Sequence, residues 1–321
     1  MDDREPMAEP TRTAGADWLA IGAALVTVVL WASAFVGIRA VADDLAPGPL
    51  ALGRLLVGAA ALGLVVAIRR PRLPTRRSLP FIVASGVIWF ALYNLALNAG
   101  ERYVDAGTAA MLVNVGPIII AILGGLFLGE GFPRRLLLGS MVAFAGATLI
   151  GLATSDGAAG GDATLGIVLC LAAAAAYAMG VVLQKPAVRE VPALMVTWLA
   201  CVVAVVVCLP FTADLVREVG TARPESLAWL VYLGLFPTAI AFTTWAFALN
   251  RTTAGRLGST TYLVPAIAIV LGWAMLDEVP PWLALGGGAI AIVGVMIARS
   301  SGWPRRTPAT PAPVLGADGS A

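Results

Sequence analysis

Apolar and polar positions of this chain separate into long blocks, without the short alternation of a surface helix or strand. Apolar runs of about 20 residues, the length a helix needs to cross a bilayer, follow one another from residue 18 to residue 298. We count ten such runs, at 18–41, 48–68, 79–99, 107–128, 136–154, 164–184, 193–213, 227–249, 258–276 and 282–298. The pattern predicts an all-α polytopic membrane protein with ten transmembrane helices.

The segments between and around these runs are short. The first 16 residues are polar, and the residues from 300 onward are rich in Pro, Ala, Gly and Thr, which is typical of disorder. The first run is too long for a signal-peptide core, so we expect it to stay in the mature protein. The predicted organisation is a disordered tail at 1–16, a five-helix repeat at 17–154, a linker at 155–163, a second five-helix repeat at 164–299 and a disordered tail at 300–321.

The two halves of the chain resemble each other in sequence. Residues 113–130 (VNVGPIIIAILGGLFLGE) align with residues 261–278 (TYLVPAIAIVLGWAMLDE), and residues 90–98 (FALYNLALN) align with residues 242–250 (FTTWAFALN). Each half holds five runs, an odd number, so the second half starts on the opposite side of the bilayer. The repeat therefore predicts two inverted five-helix bundles, an arrangement typical of transporters that work by alternating access.

Composition and charge place the chain in a membrane and orient it. The chain is 59% hydrophobic and 12% charged, whereas soluble domains have about 45–50% apolar and about 25% charged residues. If the N-terminus is cytoplasmic, sixteen of the 21 Lys and Arg fall in inside segments. The positive-inside rule then predicts a multi-pass protein of the plasma (cytoplasmic) membrane with both termini in the cytoplasm.

The residues that catalysis or metal binding would need are scarce. The chain has no histidine, and Cys170, Cys201 and Cys208 all lie inside apolar runs, where we interpret them as packing residues. We predict no metal, no cofactor and no enzymatic activity, because a membrane-embedded enzyme needs converging His, Asp, Glu or Cys side chains. A membrane-embedded enzyme and a structural or signalling membrane protein remain the alternatives to a transporter.

Polar and aromatic side chains inside the runs are the candidates for a substrate site. A polar group in hydrocarbon must be partnered or must face a cavity. The tyrosine of FALYNLALN and the tryptophan of FTTWAFALN occupy matching places in the repeat, and an asparagine follows the tyrosine. We therefore expect each half to supply one wall of a path. Hydrogen bonding between helices is the alternative. The candidates for the cavity are Trp31, Ser33, Tyr93, Asn94, Asn114, Tyr177, Thr244, Trp245, Thr261 and Tyr262.

Prolines and charges inside or beside the runs give a second group of candidates. Pro117 and Pro265 each remove a backbone hydrogen bond, so we predict hinges or site residues there, with a tolerated kink as the alternative. Arg54 is a basic residue well inside a run, where it binds a ligand or extends its charge to the interface. Glu130 and Glu278 each lie shortly before a proline, and we expect them to cap the helix that follows.

Small residues mark one further surface. Gly139, Ala143 and Gly146 in the fifth run match Gly287, Ala291 and Gly294 in the tenth. Such residues let helices approach closely. The sequence leaves open whether they pack the two halves together or join two protomers, and it leaves the oligomeric state open.

These features together resemble a known family. Trp31, Ser33 and Phe35 form a Trp-x-Ser-x-Phe pattern, the fourth and ninth runs contain proline and end in Gly-Glu (129–130) and Asp-Glu (277–278), and both matched stretches end in ALN. Over residues 18–298 the chain resembles the drug/metabolite transporter superfamily, specifically its EamA-type ten-helix branch. The resemblance implies a small-metabolite permease, often an exporter, with a central cavity lined by helices 1, 3, 4, 6, 8 and 9.

The resemblance and the polar residues together predict the partners. We expect a small-molecule substrate and the lipid bilayer as partners, and no nucleic acid. Because no acidic residue lies at membrane depth, a neutral or zwitterionic metabolite, such as an amino acid or an amphipathic compound, fits best. The direction of transport and its coupling to protons or ions stay open.

Overall fold

The computed structural model describes residues 17–104, 106–154, 161–276 and 281–300. The predicted tails apart from residue 300, most of the predicted linker and Glu278 lie outside these residues. The described residues form helices and contain no β-strand. In chain order we name the helical segments α1 (Trp18–Val41), α2 (Pro47–Arg69), α3 (Leu79–Gly100), α4 (Ala106–Val113 and Gly116–Phe127), α5 (Arg134–Thr154), α6 (Gly161–Glu190), α7 (Ala193–Thr221), α8 (Pro224–Arg251), α9 (Ala254–Ser259 and Leu263–Leu276) and α10 (Trp282–Arg299).

The length and apolar character of these helices make the chain an all-α polytopic membrane protein. Six of them, α1, α2, α3, α6, α7 and α8, are long and apolar enough to cross a bilayer, and two shorter apolar stretches are Met111–Phe127 and Trp282–Ala298. Large apolar side chains also cover much of the outer surface, for example Phe127 and Trp282, which are 73% and 87% exposed. Such a surface is unfavourable in water and suits contact with lipid tails.

The helices α5 and α10 pack backbone against backbone within one chain. A Cβ atom placed on Gly146 would lie 2.4 Å from the backbone nitrogen of Ala291, and one on Gly294 would lie 2.2 Å from that of Ala143. Side chains larger than hydrogen do not fit at these crossings. Of the two interpretations that the sequence left open, the structure shows the first, because the small residues join the last helices of the two halves.

Proline sets the position of the interruptions in α4 and α9. Pro117 cannot donate to the carbonyl of Val113, and the first piece of α4 ends at Val113. Pro265 cannot donate to the carbonyl of Thr261, and α9 passes through a 3-10 turn at Thr260–Tyr262. Both prolines are buried. The two helices are therefore interrupted one turn before matching prolines of the repeat.

The helices α3 and α8 also contain matching irregular segments. Each includes a π-helical stretch, Gly86–Tyr93 in α3 and Gly234–Ile240 in α8, and both stretches begin at a glycine. A Cβ atom on Gly86 would lie 2.9 Å from the carbonyl oxygen of Ala200 in α7, and one on Gly234 would lie 2.5 Å from Cβ of Val57 in α2. π-Helical turns occur frequently at functional sites. Here each stretch packs against a helix of the other half, α3 against α7 and α8 against α2.

Candidate functional site

A cavity lies in the interior of the bundle and is bounded by both halves of the chain. Its lining residues are Trp31, Ala34, Phe35, Ile38, Arg54, Trp89, Tyr93, Asn94, Leu97, Val113, Asn114, Tyr177, Phe242, Thr261 and Val264. They come from α1, α2, α3, α4, α6, α8 and α9. The cavity holds about 700 Å³ of space between atoms, including the part that opens to the outside.

The interrupted helices contribute directly to this cavity. Val113 and Asn114 come from the interruption of α4, and Thr261 and Val264 come from the interruption of α9. The cavity also reaches Ile38, close to the end of α1. It therefore extends from the helix interruptions toward the end of the bundle at which α1 turns into α2.

Aromatic rings form one wall of the cavity and continue into the core behind it. The centroids of Trp31 and Tyr177 lie 6.3 Å apart, and those of Trp89 and Phe242 lie 5.0 Å apart. Trp245 packs behind this wall, with its ring centroid 5.0 Å from that of Trp31, and it has no exposed surface. The rings hold α1, α3, α6 and α8 together and give the cavity a rigid apolar face.

The polar lining of the cavity consists of a few side chains on its other helices. The amide nitrogen of Asn94 donates to the carbonyl of Phe90 at 2.8 Å, and the residue lines the cavity. The hydroxyl of Thr261 donates to the carbonyl of Gly258 at 2.8 Å. Arg54 from α2 is the charged residue of the lining. The resemblance had not implied a contribution from α2.

The structure brings six of the ten candidates for the cavity together and places four elsewhere. The six lining residues are Trp31, Tyr93, Asn94, Asn114, Tyr177 and Thr261. The hydroxyl of Ser33 forms a hydrogen bond with that of Tyr232 at 2.7 Å, and Thr244 forms one with Thr27 at 2.8 Å, so both join α1 to α8. Trp245 and Tyr262 are fully buried away from the lining.

Glu130 caps a helix, but not the helix that follows it in sequence. Its carboxylate accepts hydrogen bonds from the backbone N–H groups of Ala254 at 2.8 Å and Gly255 at 3.2 Å, at the start of α9. Gly129 and Gly131 on either side have φ angles of 65° and 69°, which glycine adopts without strain. This turn directs Glu130 across the bundle into the second half of the chain.

Lys185 holds the other side of the same turn. Its ammonium donates to the carbonyls of Leu249 and Thr252 at the end of α8. A cation at a helix C-terminus and an anion at a helix N-terminus both complement the helix dipole. The turn between α8 and α9 is thus held by Lys185, from α6 of the same half, and by Glu130, from the first half.

The opposite end of the bundle has its own polar contacts. Asp44, after α1, accepts hydrogen bonds from the hydroxyl of Ser226 and from Arg223, whose Nε lies 2.9 Å away. These two donors, Ser226 first, lower the pKa of the Asp44 carboxyl below its ordinary value. Glu218 accepts a hydrogen bond from the backbone N–H of Ala46 at 2.9 Å. Each end of the bundle is therefore tied across the boundary between the two halves.

Several lining residues escaped the sequence analysis because they are apolar. Trp89, Phe242, Leu97 and Val264 look like any other membrane or core residue, and periodicity does not indicate which face of a buried helix they occupy. Phe242 had one usable signal, since it aligns with Phe90 in the repeat. Pro237 in α8 does not line the cavity but was also missed, although it lies inside an apolar run as the prolines of α4 and α9 do.

The described residues hold no group of three or more His, Cys, Asp or Glu side chains that could bind a metal ion. All three cysteines are buried and unpaired. The lining instead offers one guanidinium, amides, hydroxyls and aromatic faces. This set suits reversible binding of a small organic molecule.

Comparisons with known proteins agree with this arrangement. A probable terminal-alkyne amino-acid exporter of Streptantibioticus cattleyicolor is 38% identical over 91% of this chain and 97% of that protein. The uncharacterized transporter YdfC of Bacillus subtilis is 35% identical over 83% of this chain and 86% of that protein. A probable amino-acid metabolite efflux pump of Escherichia coli is 25% identical over 85% of this chain and 92% of that protein.

A solved crystal structure shares the fold, with a TM-score of 0.71 and 18% identity over 87% of this chain and 96% of that chain. The EamA-like transporter family matches the chain twice, over residues 18–152 and 164–300. The two matches cover both halves of the chain and all the residues that line the cavity. The chain therefore belongs to the EamA-like transporter family, as a multi-pass membrane transporter of small metabolites and not an enzyme.

Proposed function

We propose that this protein exports a small zwitterionic metabolite of the amino-acid class, by alternating access through the interior cavity. The observation that carries this proposal is that the cavity lies where the interrupted helices of the two halves meet. Transporters place substrate at such interruptions, because the irregular backbone there lines a cavity and does not face lipid. The names of the exporter and the efflux pump among the relatives support the amino-acid class.

In this proposal the chain crosses the membrane ten times, as two inverted five-helix repeats. Local features that recur at a shift of 148 residues support the repeat. They include the π-helical stretches that begin at Gly86 and Gly234, the prolines at 117 and 265, and the helices that begin at Arg134 and Trp282. An odd number of spans in each half would invert the second half relative to the first.

Alternating access requires that the two ends of the bundle open in turn. In our proposal the contacts of Glu130 and Lys185 hold the cytoplasmic end and those of Asp44 hold the opposite end, and both sets are formed in this structure. The cavity described above, which reaches Ile38 near the α1–α2 turn, then lies between two tied ends. Breaking one set of contacts while the other stays formed would open the cavity first to one side and then to the other.

Purified protein in liposomes tests the proposed function. Liposomes loaded with a mixture of amino acids, sugars, nucleosides and organic amines should lose amino acids faster than protein-free liposomes, with and without a pH gradient. Saturation of the rate with internal amino acid and competition among related amino acids would show a binding site. Efflux of sugars or nucleosides but of no amino acid would overturn the proposed substrate class.

The proposed topology predicts that both cytoplasmic reporter sites read as cytoplasmic. Reporter fusions after Arg77, between α2 and α3, and after Arg306, beyond α10, should each be active only as cytoplasmic reporters, because arginine-rich segments stay on that side. A fusion after Arg102, between α3 and α4, is the matched control and should report the opposite side. A periplasmic signal from either of the first two sites would contradict the topology.

A further inference from the structure

Arg54 is a buried cation that faces the cavity. The residue is 4% exposed and lines the cavity from α2. Its Nε donates to the hydroxyl oxygen of Thr238 at 3.1 Å. This hydrogen-bond partner is neutral, and Glu101, just after α3, is the carboxylate whose charge acts on the guanidinium. A buried charge is costly unless it is paired and hydrogen-bonded, so this cation is poised for an anionic partner.

The orientation of Arg54 follows from the irregular segment of α8. Pro237 has no N–H group to donate to the carbonyl of Leu233, and the hydroxyl of Thr238 donates to this carbonyl instead, at 2.8 Å. The hydroxyl oxygen of Thr238 therefore keeps its lone pairs for Nε of Arg54. One edge of the guanidinium is fixed in this way, and its two terminal nitrogens remain available to a ligand.

Close packing between α2 and α8 keeps this arrangement in place. A Cβ atom on Gly58 would lie 2.9 Å from Cγ2 of Thr238, and a Cβ atom on Gly234 would lie 2.8 Å from the carbonyl oxygen of Arg54. The two glycines let the backbone of α2 approach the π-helical stretch of α8. The distance between Arg54 and Thr238 is therefore set by backbone contacts and not by flexible side chains.

We propose that Arg54 binds the carboxylate of the transported metabolite, through paired hydrogen bonds from its two terminal nitrogens. The planar fork of a guanidinium matches a carboxylate, and charge-assisted pairs of this kind are stronger than neutral hydrogen bonds. The rest of the metabolite lies against the aromatic wall formed by Trp31 and Phe242. This inference rests on the proposed function, and it restricts the substrates to metabolites with a free carboxylate.

The same geometry assigns a positioning role to Thr238. Its hydroxyl touches Arg54 and lies outside the lining of the cavity, so it acts on substrate only through the guanidinium. Thr238→Val removes the acceptor of Nε while it keeps the shape of the side chain. The variant should weaken the binding of carboxylates and leave the binding of analogues that lack the carboxylate unchanged.

Matched ligands separate this inference from a structural role for Arg54. The probes are leucine, methionine and phenylalanine, each with its amide, which lacks the carboxylate, and its deaminated acid, which lacks the amine. Binding is measured as the ligand-dependent rise in melting temperature of purified protein in detergent. The wild-type protein should bind the acids and amino acids roughly 100-fold more tightly than the amides, as expected for the loss of hydrogen bonds to a charged group.

Variants of the buried residue complete the test. Arg54→Gln should lower the affinity for amino acids to that for the amides and leave the amides unaffected, and Arg54→Lys should retain an intermediate affinity. Ser85→Ala is the control, since this buried hydroxyl bonds only to the carbonyl of Ile82 and lies outside the cavity. Its melting temperature without ligand and its affinities should stay close to those of the wild type.

The outcomes distinguish this inference from the proposed function. Equal binding of acids and amides by the wild type, or an equal loss of both in Arg54→Gln, would overturn the carboxylate contact even if amino acids are exported. Binding of deaminated acids alone, dependent on Arg54, would support the contact and overturn the amino-acid class. If Arg54→Gln does not fold, Arg54→Lys replaces it in the test. A weaker preference for acids over amides than in the wild type would support the contact. An unchanged preference would overturn it.

Discussion

Gly287→Leu is expected to prevent stable folding, whereas Gly286→Leu, one residue away on the same helix, is expected to leave the fold intact. A Cβ atom on Gly287 would lie 2.7 Å from the carbonyl oxygen of Gly146 and 3.0 Å from the backbone nitrogen of Ile150, both in α5. Backbone atoms cannot move aside as the end of a side chain can. A Cβ atom on Gly286 meets nothing within 4 Å.

The expected cost follows from the change in packing. Overpacking a well-packed interior typically costs about 1–3 kcal/mol, and a leucine against two backbone groups exceeds that range because α5 and α10 must separate along their length. Gly286→Leu gains helix propensity of up to about 1 kcal/mol, which favours α10. The measurements are the yield of monodisperse protein in detergent and its melting temperature. Equal melting temperatures for the two variants would contradict the observed packing of α5 on α10.

The helical architecture was accessible from sequence because each apolar run is close to the bilayer thickness. Composition alone places such runs in hydrocarbon, where a helix satisfies its own backbone hydrogen bonds. The positions of Pro117 and Pro265 also indicate where α4 and α9 are interrupted, since a proline affects the carbonyl four residues earlier. These inferences depend on local rules and need no knowledge of how the helices pack.

The rotation of each helix about its axis could not be predicted in the same way. Tyr93 and Trp245 occupy matching places in the repeat, but Tyr93 lines the cavity and Trp245 lies behind Trp31 with no exposed surface. A helix that is apolar on all sides has no polar face, so its sequence does not indicate which side points inward. The halves also differ in packing, so equivalence in sequence does not imply equivalent surroundings.

Contacts across the bundle were hidden for a related reason. Glu130 precedes α5 in sequence and was expected to cap it, whereas its carboxylate reaches the start of α9. Arg54 carried a functional signal as a charge inside a run, but its partner Thr238 and the effect of Pro237 depend on the approach of α2 to α8. Sequence spacing gives neighbours along a helix and gives no information on long-range pairs.

Lys185→Met is expected to destabilise the protein and to loosen the turn between α8 and α9, whereas Arg189→Met, one turn later on α6, is expected to do neither. Lys185 is 4% exposed and its ammonium donates to the carbonyls of Leu249 and Thr252. Methionine fills a similar volume but cannot donate, so two carbonyls at the end of α8 lose their donor. Arg189 is exposed.

The size of the effect follows from the burial of these groups. Leaving buried acceptors unsatisfied costs about 1–3 kcal/mol, while a surface substitution usually changes stability by about 0.5 kcal/mol or less. Glu130→Gln should have a smaller effect than Lys185→Met, because the amide oxygen still accepts one hydrogen bond from the start of α9 but carries no charge for the helix dipole.

Two measurements check this expectation. The melting temperature should fall in the order wild type and Arg189→Met, then Glu130→Gln, then Lys185→Met. A cysteine introduced at Thr253, in a protein whose three buried cysteines are replaced by alanine, should react faster with a water-soluble maleimide in the Lys185→Met background. A turn that stays as protected as in the wild type would show that Lys185 does not hold this end closed, because loss of its hydrogen bonds would otherwise expose the turn.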